Sequence, residues 1–339
     1  MTFSPIFIVG NSRSGTTLLA RILSKHTQIH ILKETHFWAS YEKQRKYFSQ
    51  LKQQEKIHLL NLLLTVENRG INYRNEYHNY SDEAKEIYTR CAECKTFPSL
   101  LAYFFKYAAE KNGKTICGDQ TPSHVFNTED ILELFPNAKF INIVRDPRAV
   151  LLSQKNKWKA AKKMGQPISE VVRTFFNYHP ITTSVLWKKG IEAGKQAKSD
   201  LPPNTIYTVK FEQLLEESES VLQELCNFIE VDIENGMLDV DVAMSSNETD
   251  EGKRGIRREV MNHWRKRLSD TEIFFSERIN GKLAEEEGYQ LVHAQTGVFP
   301  LFYYSSYFPL HLAMAFLLNM NRVRKPISYI SKKLIPFNH

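Results

Sequence analysis

Ile6-Phe7-Ile8-Val9-Gly10-Asn11-Ser12-Arg13-Ser14-Gly15-Thr16-Thr17-Leu18-Leu19 is the stretch on which the reading of the whole chain turns. Its first five residues are apolar and β-rich, and its middle is a loop of glycine, serine and threonine. Beyond the loop Leu18, Leu19, Ile22 and Leu23 recur at helical spacing. A strand, a phosphate-type loop and a helix follow from that order. Gly10 and Gly15 stand at the separation found in the GxxxxGK[ST] triphosphate loop, where backbone amides and a helix N-terminus cradle an anion. Thr16 occupies the lysine position of that motif, so the group that bridges β- and γ-phosphates in a nucleoside triphosphatase is missing, and a basic residue stands inside the loop at Arg13. The alternative is an ordinary Gly/Ser turn between strand and helix.

Working outward, Ile29–Leu32 and residues 115–118, 140–144 and 205–210 read as four more short strands, with helical stretches between them. The predicted fold class is therefore α/β: a P-loop-type, mainly parallel sheet flanked by helices, with helical insertions and an apolar C-terminal tail. Residues 1–293 form one domain in this reading. Residues 41–114, charged and aromatic-rich, are a helical insertion over its active site, and 294–339 are an apolar and then basic tail. Further helical blocks are expected at 155–198 and 212–230. A chain of 339 residues with 42% apolar content has enough material for such a core, which excludes disorder as the default.

The net charge of +7 is concentrated in two acid-free runs: Lys155, Lys157, Lys159, Lys162 and Lys163, and then Arg322, Arg324, Lys325, Lys332 and Lys333. Without them the chain is slightly acidic, so the basicity signals local anionic contacts, and no nucleic-acid partner is expected. The lysine run beside Trp158 is either a solvated helix face or a receiver for an acidic acceptor. Four cysteines are too few for a disulfide framework in a chain of this length, which points to a reducing compartment. Cys91 and Cys94 form a lone CxxC, read as two ordinary thiols because no second pair or His cluster completes a zinc site; no metal site is expected. No basic n-region precedes the first strand, so no cleaved signal peptide and a cytoplasmic location are expected. Residues 294–321 hold no Asp, Glu, Lys or Arg. They read as a helix docked on the protein, as an interfacial membrane anchor, or as a span, with Pro300 and Pro309 weakening the last. The peripheral membrane contact would run through 294–333, the later basic residues suiting anionic headgroups.

A donor with one 5′-phosphate and a sulfonate needs amides, hydroxyls and one cation, which Arg13, Thr16 and Thr17 supply. Arg13-Ser14-Gly15-Thr16-Thr17 resembles the 5′-phosphosulfate loop of the sulfotransferases that use 3′-phosphoadenosine 5′-phosphosulfate (PAPS). Phe140-Ile141-Asn142-Ile143-Val144-Arg145-Asp146-Pro147-Arg148, with Ser153 eight residues after Arg145, resembles that family's 3′-phosphate signature. The resemblance covers most of 1–290, and it implies donor binding by Arg13, Ser14, Gly15, Thr16, Thr17, Arg145 and Ser153, with adenosine 3′,5′-bisphosphate as product. Arg145 has a second reading as a salt-bridged structural residue, and Arg148 is an uncertain neighbour that can simply pair with an acid. Lys253-Arg254-Gly255, followed by His263-Trp264-Arg265-Lys266, loosely resembles the loop that closes over the 3′-phosphate. Lys253 and Arg254 are assigned to it, Arg257 or Arg258 being able to take the role, and a solvated basic face is the alternative.

Lys33-Glu34-Thr35-His36-Phe37-Trp38 resembles the Glu-x-His-Phe-Phe segment of glycan sulfotransferases, which implies that Glu34 is the base and the acceptor a carbohydrate. His36 is the runner-up base, an acceptor contact, or a hydrogen-bonded core histidine. In Gly118-Asp119-Gln120-Thr121-Pro122, glycan and peptide branches often carry a lysine in place of Gln120, which leaves Arg13 as the main catalytic cation. Phe211-Glu212 resembles a structural feature without chemistry. A hydroxyl or amine acceptor follows, with a peptide tyrosine or lipid headgroup left open. The rivals are a P-loop kinase or NTPase, and a non-catalytic membrane-associated adenosine-nucleotide binding protein.

Overall fold

The computed structural model describes residues 3–38, 52–70, 80–91, 93–240 and 258–320. It divides into two compact units, Met1–Ile143 with Gly194–Val240, and Val144–Ala193 with Asp241–His339.

The first unit is built around β1 (Ile6–Gly10), all five residues of which are buried. A strand buried on both faces has to be apolar throughout, which is why Ile6, Phe7, Ile8 and Val9 run without alternation. α1 (Thr16–Lys25) leads to β2 (Ile29–Leu32). α2 (Gln53–Arg69), α3 (Ser81–Arg90) and α4 (Phe97–Lys111) precede β3 (Ile116–Gln120). A 3-10 turn (Pro122–Asn127) and α5 (Thr128–Leu134) lead to β4 (Lys139–Val144). The five-stranded sheet has the order β2-β3-β1-β4-β5, with β5 at Ile206–Lys210. β1 pairs in parallel with both β3 and β4, in the registers Ile6↔Gly118 and Ile6↔Lys139, and β2 pairs in parallel with β3. Chain connections thus leave β1 toward one side and β4 lies on the other, so the loop after β1 stands at a switch point, where open α/β sheets bind ligands.

β3 runs two residues beyond the apolar stretch that announces it, because Phe7↔Asp119 and Ile8↔Gln120 continue the ladder. Asp and Gln are poor strand formers, and tertiary pairing overrides them. Phe7 is fully buried amid the rings of Phe37, Phe105, Phe135, Phe140 and His124, with the Phe7 and Phe140 centroids 5.5 Å apart. Burial of each such ring contributes roughly 2–3 kcal/mol. Cys91 ends α3 as its cap residue and is disulfide-bonded to Cys94 across a turn, with Cα atoms 5.4 Å apart. The pair is therefore not two ordinary thiols: α3 stops at Arg90, and the turn brings the sulfurs within bridging distance.

The second unit contains α6 (Pro147–Lys155), α7 (Lys157–Lys163), α8 (Ile168–Phe176) and the start of α9 (Pro180–Asp200). The first unit ends with α10 (Phe211–Glu216) and α11 (Ser218–Phe228). α12 (Trp264–Arg267), α13 (Asp270–Glu286) and α14 (Val298–Asn319) complete the second. Asp146 caps α6 by accepting from the Arg148 amide at 2.8 Å, and Pro147 opens the helix where its missing N–H is harmless. Arg148 is buried between Asp146 and Glu277, donating at 2.8 and 2.9 Å, and stacks 4.0 Å from the ring centroid of Trp264. Of its two readings, pairing with acids is the one observed. Lys155 is likewise committed, to Glu272 at 2.8 Å, and Tyr178 donates to the same carboxylate.

α14 continues through Pro309 as one helix. Pro300 falls in its first turn, and Pro309 removes a single ladder bond. One face of α14 docks on the unit through a ring cluster: His179 lies 4.8 Å from His311 and is surrounded by Tyr304, Tyr307 and Phe308. Burial, reinforced by His311, pushes the His179 imidazole down to about 4 from 6.5, and burial lowers His311 too. The unfolded chain therefore binds more protons than the folded one inside that window, and stability rises with pH across it. Stability from this cluster is complete above pH 6.5 and falls as pH drops toward about 4. Thermal melts over that range are expected to show the slope, and His179→Gln with His311→Gln to flatten it.

Candidate active site

The turn from β1 into α1 is closed by Ser14 N–H donating to the Asn11 carbonyl at 3.2 Å, and Leu19 N–H reaches the Gly15 carbonyl at 3.1 Å. Arg13 and Gly15 both have left-handed backbones, φ 74° and 102°. Gly15 is required twice over, since a Cβ there would also sit 2.3 Å from the ring of Phe211, the first residue of α10. That contact gives Phe211 its structural role. Gly15 provides no side-chain cap for α1, whose first turn holds no acid. The amides and the positive end of the helix dipole are thus left facing the loop. Ser14 Oγ is buried without a hydrogen-bond partner. Thr16 is buried and Thr17 exposed.

Arg13 is packed closely by protein atoms although part of its surface still meets solvent. Burial lowers its pKa, and the nearby Glu34 carboxylate opposes that shift. A guanidinium remains a cation under both influences. Glu34 follows β2 and is held at both oxygens: Gln120 Nε2 donates to Oε1 at 3.4 Å, and His36 Nε2 lies 3.2 Å from Oε2. Gln120 Nε2 also donates to Thr16 Oγ1 at 3.0 Å. One amide therefore links the phosphate loop to the carboxylate. Glu34 and His36 are about one-third exposed, so the pair is open to an incoming group (side-chain exposures 39% and 34%). The histidine is accordingly not a sealed core residue.

The Glu34 turn is tied to the end of β3. Thr35 donates to Asp119 Oδ1 through its amide at 3.2 Å and its hydroxyl at 2.6 Å, and the His36 amide donates to Thr121 Oγ1 at 3.3 Å. These bonds hold His36 in a left-handed conformation, φ 48°. Asp119 is fully buried, and His124 Nδ1 lies 3.1 Å from its Oδ2 without the alignment of a hydrogen bond. Sequence reasoning did not assign Asp119, Thr35, Thr121 or His124. Their one signal is a run of polar residues, Asp119-Gln120-Thr121, continuing a strand up to a proline.

In the first unit, then, Arg13, Thr16, Glu34 and His36 come together, with Gln120 as an unforeseen connector. The second unit carries the other signature. Arg145 directly follows β4, and its carbonyl accepts from Trp187 Nε1 at 2.8 Å. Ser153 is buried on α6. Trp264 is buried between the guanidinium groups of Arg148 and Arg265, at 4.0 and 4.5 Å from its ring centroid, and Arg258 is exposed. Lys253, Arg254 and Arg257 lie outside the described residues.

The loop suits an anionic phosphosulfate by its own chemistry: a buried hydroxyl with no partner, a helix start left uncapped, a glycine cradle and one enclosed cation. Comparison with known proteins agrees with the fold. The chain is 26% identical over 247 residues to omega-hydroxy-beta-dihydromenaquinone-9 sulfotransferase Stf3 of Mycobacterium bovis (strain ATCC BAA-935 / AF2122/97), and equally so to its Mycobacterium tuberculosis (strain CDC 1551 / Oshkosh) counterpart. That match covers 65% of this chain and 61% of the relative, so the chain spans less than two thirds of these relatives' length. The sulfotransferase domain from the curacin biosynthetic pathway shares the fold with a TM-score of 0.52 and 19% identity, over 85% of this chain and 99% of that domain. The sulfotransferase domain of the Synechococcus PCC 7002 olefin synthase gives 0.52 and 18%, over 86% and 97%. The profile of the Sulfotransferase family matches residues 5–235, and the chain belongs to that family.

Proposed function

We propose that the chain transfers the sulfuryl group of PAPS to an acceptor hydroxyl, with Glu34 as general base. The observation that carries this reading is the line Arg13–Glu34–Gln120–Thr16, which sets a proton acceptor beside an anion-binding loop. When bound, PAPS supplies the sulfuryl group, and adenosine 3′,5′-bisphosphate leaves. The loop amides, Ser14, Thr16 and Thr17 bind the 5′ end, while Arg145 and Ser153 serve the 3′-phosphate. Lys253 and Arg254 are assigned to the same end by resemblance. Arg13 offsets negative charge developing on the equatorial oxygens. Glu34 takes the acceptor proton as the new S–O bond forms. His36 and Gln120 orient its two oxygens, which is a positioning task, and Asp119 holds the turn that carries Glu34 and His36. Gln120 donates a hydrogen bond where a lysine would add charge, so Arg13 carries the electrostatic work.

The Glu34 segment supports a carbohydrate acceptor. A second reading, a hydroxyl on a lipid, is favoured by the hydroxylated menaquinone named for the Mycobacterium relatives.

Calorimetric titration separates this proposal from its rivals: adenosine 3′,5′-bisphosphate is expected to bind and Mg-ATP to bind poorly, and the reverse order would sink it. Glu34→Gln is expected to leave bisphosphate affinity within about threefold while lowering kcat by roughly 10²–10⁴, the range of general-base catalysis; unchanged turnover would place the base elsewhere. Asp119→Ala leaves the buried Thr35 amide and hydroxyl protons without their acceptor, at about 1–3 kcal/mol in stability. Its kcat is expected to fall with bisphosphate affinity retained, and Asp119→Asn to restore turnover because an amide oxygen accepts the same two bonds. Failure of that rescue would remove Asp119 from its positioning role.

A further inference from the structure

We propose that the second unit docks on an anionic lipid bilayer, with the outer face of α14 entering the acyl boundary and the lysines of α7 meeting the headgroups. This goes beyond the transferase reading and does not depend on it. α14 carries no Asp, Glu, Lys or Arg along its whole length. Its inner face packs through Tyr304, Tyr307 and His311, yet its outer face leaves Phe299 89%, Phe302 70% and Leu310 68% exposed. A surface helix in water carries polar residues on its outer face, whereas a helix between protein and lipid has no need of them. A run this long of exposed aromatic and aliphatic residues exceeds the scattered apolar exposure of ordinary surfaces. At 22 residues the helix is about 33 Å long at 1.5 Å per residue.

The neighbouring helix repeats the pattern. α14 is fastened along α8, Arg173 and Asn177 both bonding to the Asn319 side chain at 3.1 and 2.7 Å. On α8, Ile168, Val172 and Phe175 stand at i, i+4 and i+7 and are all exposed, Ile168 by 83%. α7, which leads into that stripe, exposes Lys159, Lys162 and Lys163. After Glu287 the chain contains no acidic residue, and five basic residues follow α14. Apolar exposure in a unit that also carries an acid-free lysine run matches an anionic headgroup layer over an acyl interior. A second copy is the poorer occupant, since a symmetric pairing would bring two lysine-rich faces together. The ring packing around His179 and the bonds of Arg173 and Asn177 hold α14 against the unit, which favours a docked helix over a span.

The test is flotation of the full chain with vesicles of phosphatidylcholine alone or mixed with phosphatidylglycerol. Binding to the mixed vesicles that weakens with added salt is expected. Phe302→Ser/Leu310→Ser/Leu317→Ser alters exposed positions only, as does Lys159→Glu/Lys162→Glu/Lys163→Glu. Each is expected to lose at least about tenfold in partitioning, with an unchanged thermal melt as the measure of an intact fold. The proposal is overturned if the wild type stays with the aqueous phase or if either variant floats as well as it. Retention after carbonate extraction, which would mark a spanning helix, overturns it too. So does light scattering that shows a dimer which the apolar variant dissolves.

Discussion

The close approach of Phe211 to Gly15 is the constraint on which the rest of the first unit depends. Without a side chain at position 15, the backbone can turn left-handed between β1 and α1 while an aromatic ring from a distant segment packs against it. The helix start then faces the loop uncapped, and Thr16 sits where Gln120 reaches it. Gln120 in turn reaches Glu34. A conformational choice at one residue thus sets the distance between an anion cradle and a carboxylate carried on different strands.

Much of this was legible in the residues. β1, β2 and β4 are short, largely apolar runs bounded by polar or glycine-rich turns, and buried parallel strands must read that way. The loop was legible because glycine spacing reports backbone geometry, and because a missing lysine changes which anion the site suits. What escaped notice has a common cause. Asp119 and Gln120 belong to a strand whose polar end looks like a loop, and their meaning comes only from partners 84 to 104 residues away in sequence. Arg148 likewise needed Glu277, from far along the chain, before its structural role could be told from a ligand contact. Cys91 and Cys94 read as ordinary thiols inside a helix until the end of that helix was known.

Gln120 changes in meaning most. From sequence it marks a lost cation. In three dimensions it is a connector whose single amide nitrogen reaches both the loop hydroxyl and the carboxylate. Neutral donors of this kind organise a site without adding a formal charge, and under the proposed mechanism that places a heavier electrostatic demand on Arg13, next to Glu34.

The anchoring of the Glu34 turn has a consequence for divergence. Thr35 and His36 are tied to Asp119 and Thr121, so the turn that carries Glu34 is referenced to the sheet. Segments outside that anchor can be rebuilt to admit a new molecule while the Glu34 carboxylate keeps its coordinates. Under the proposed mechanism, chemistry and selectivity are thereby inherited separately: the first travels with the strand ends, the second with whatever is attached to them.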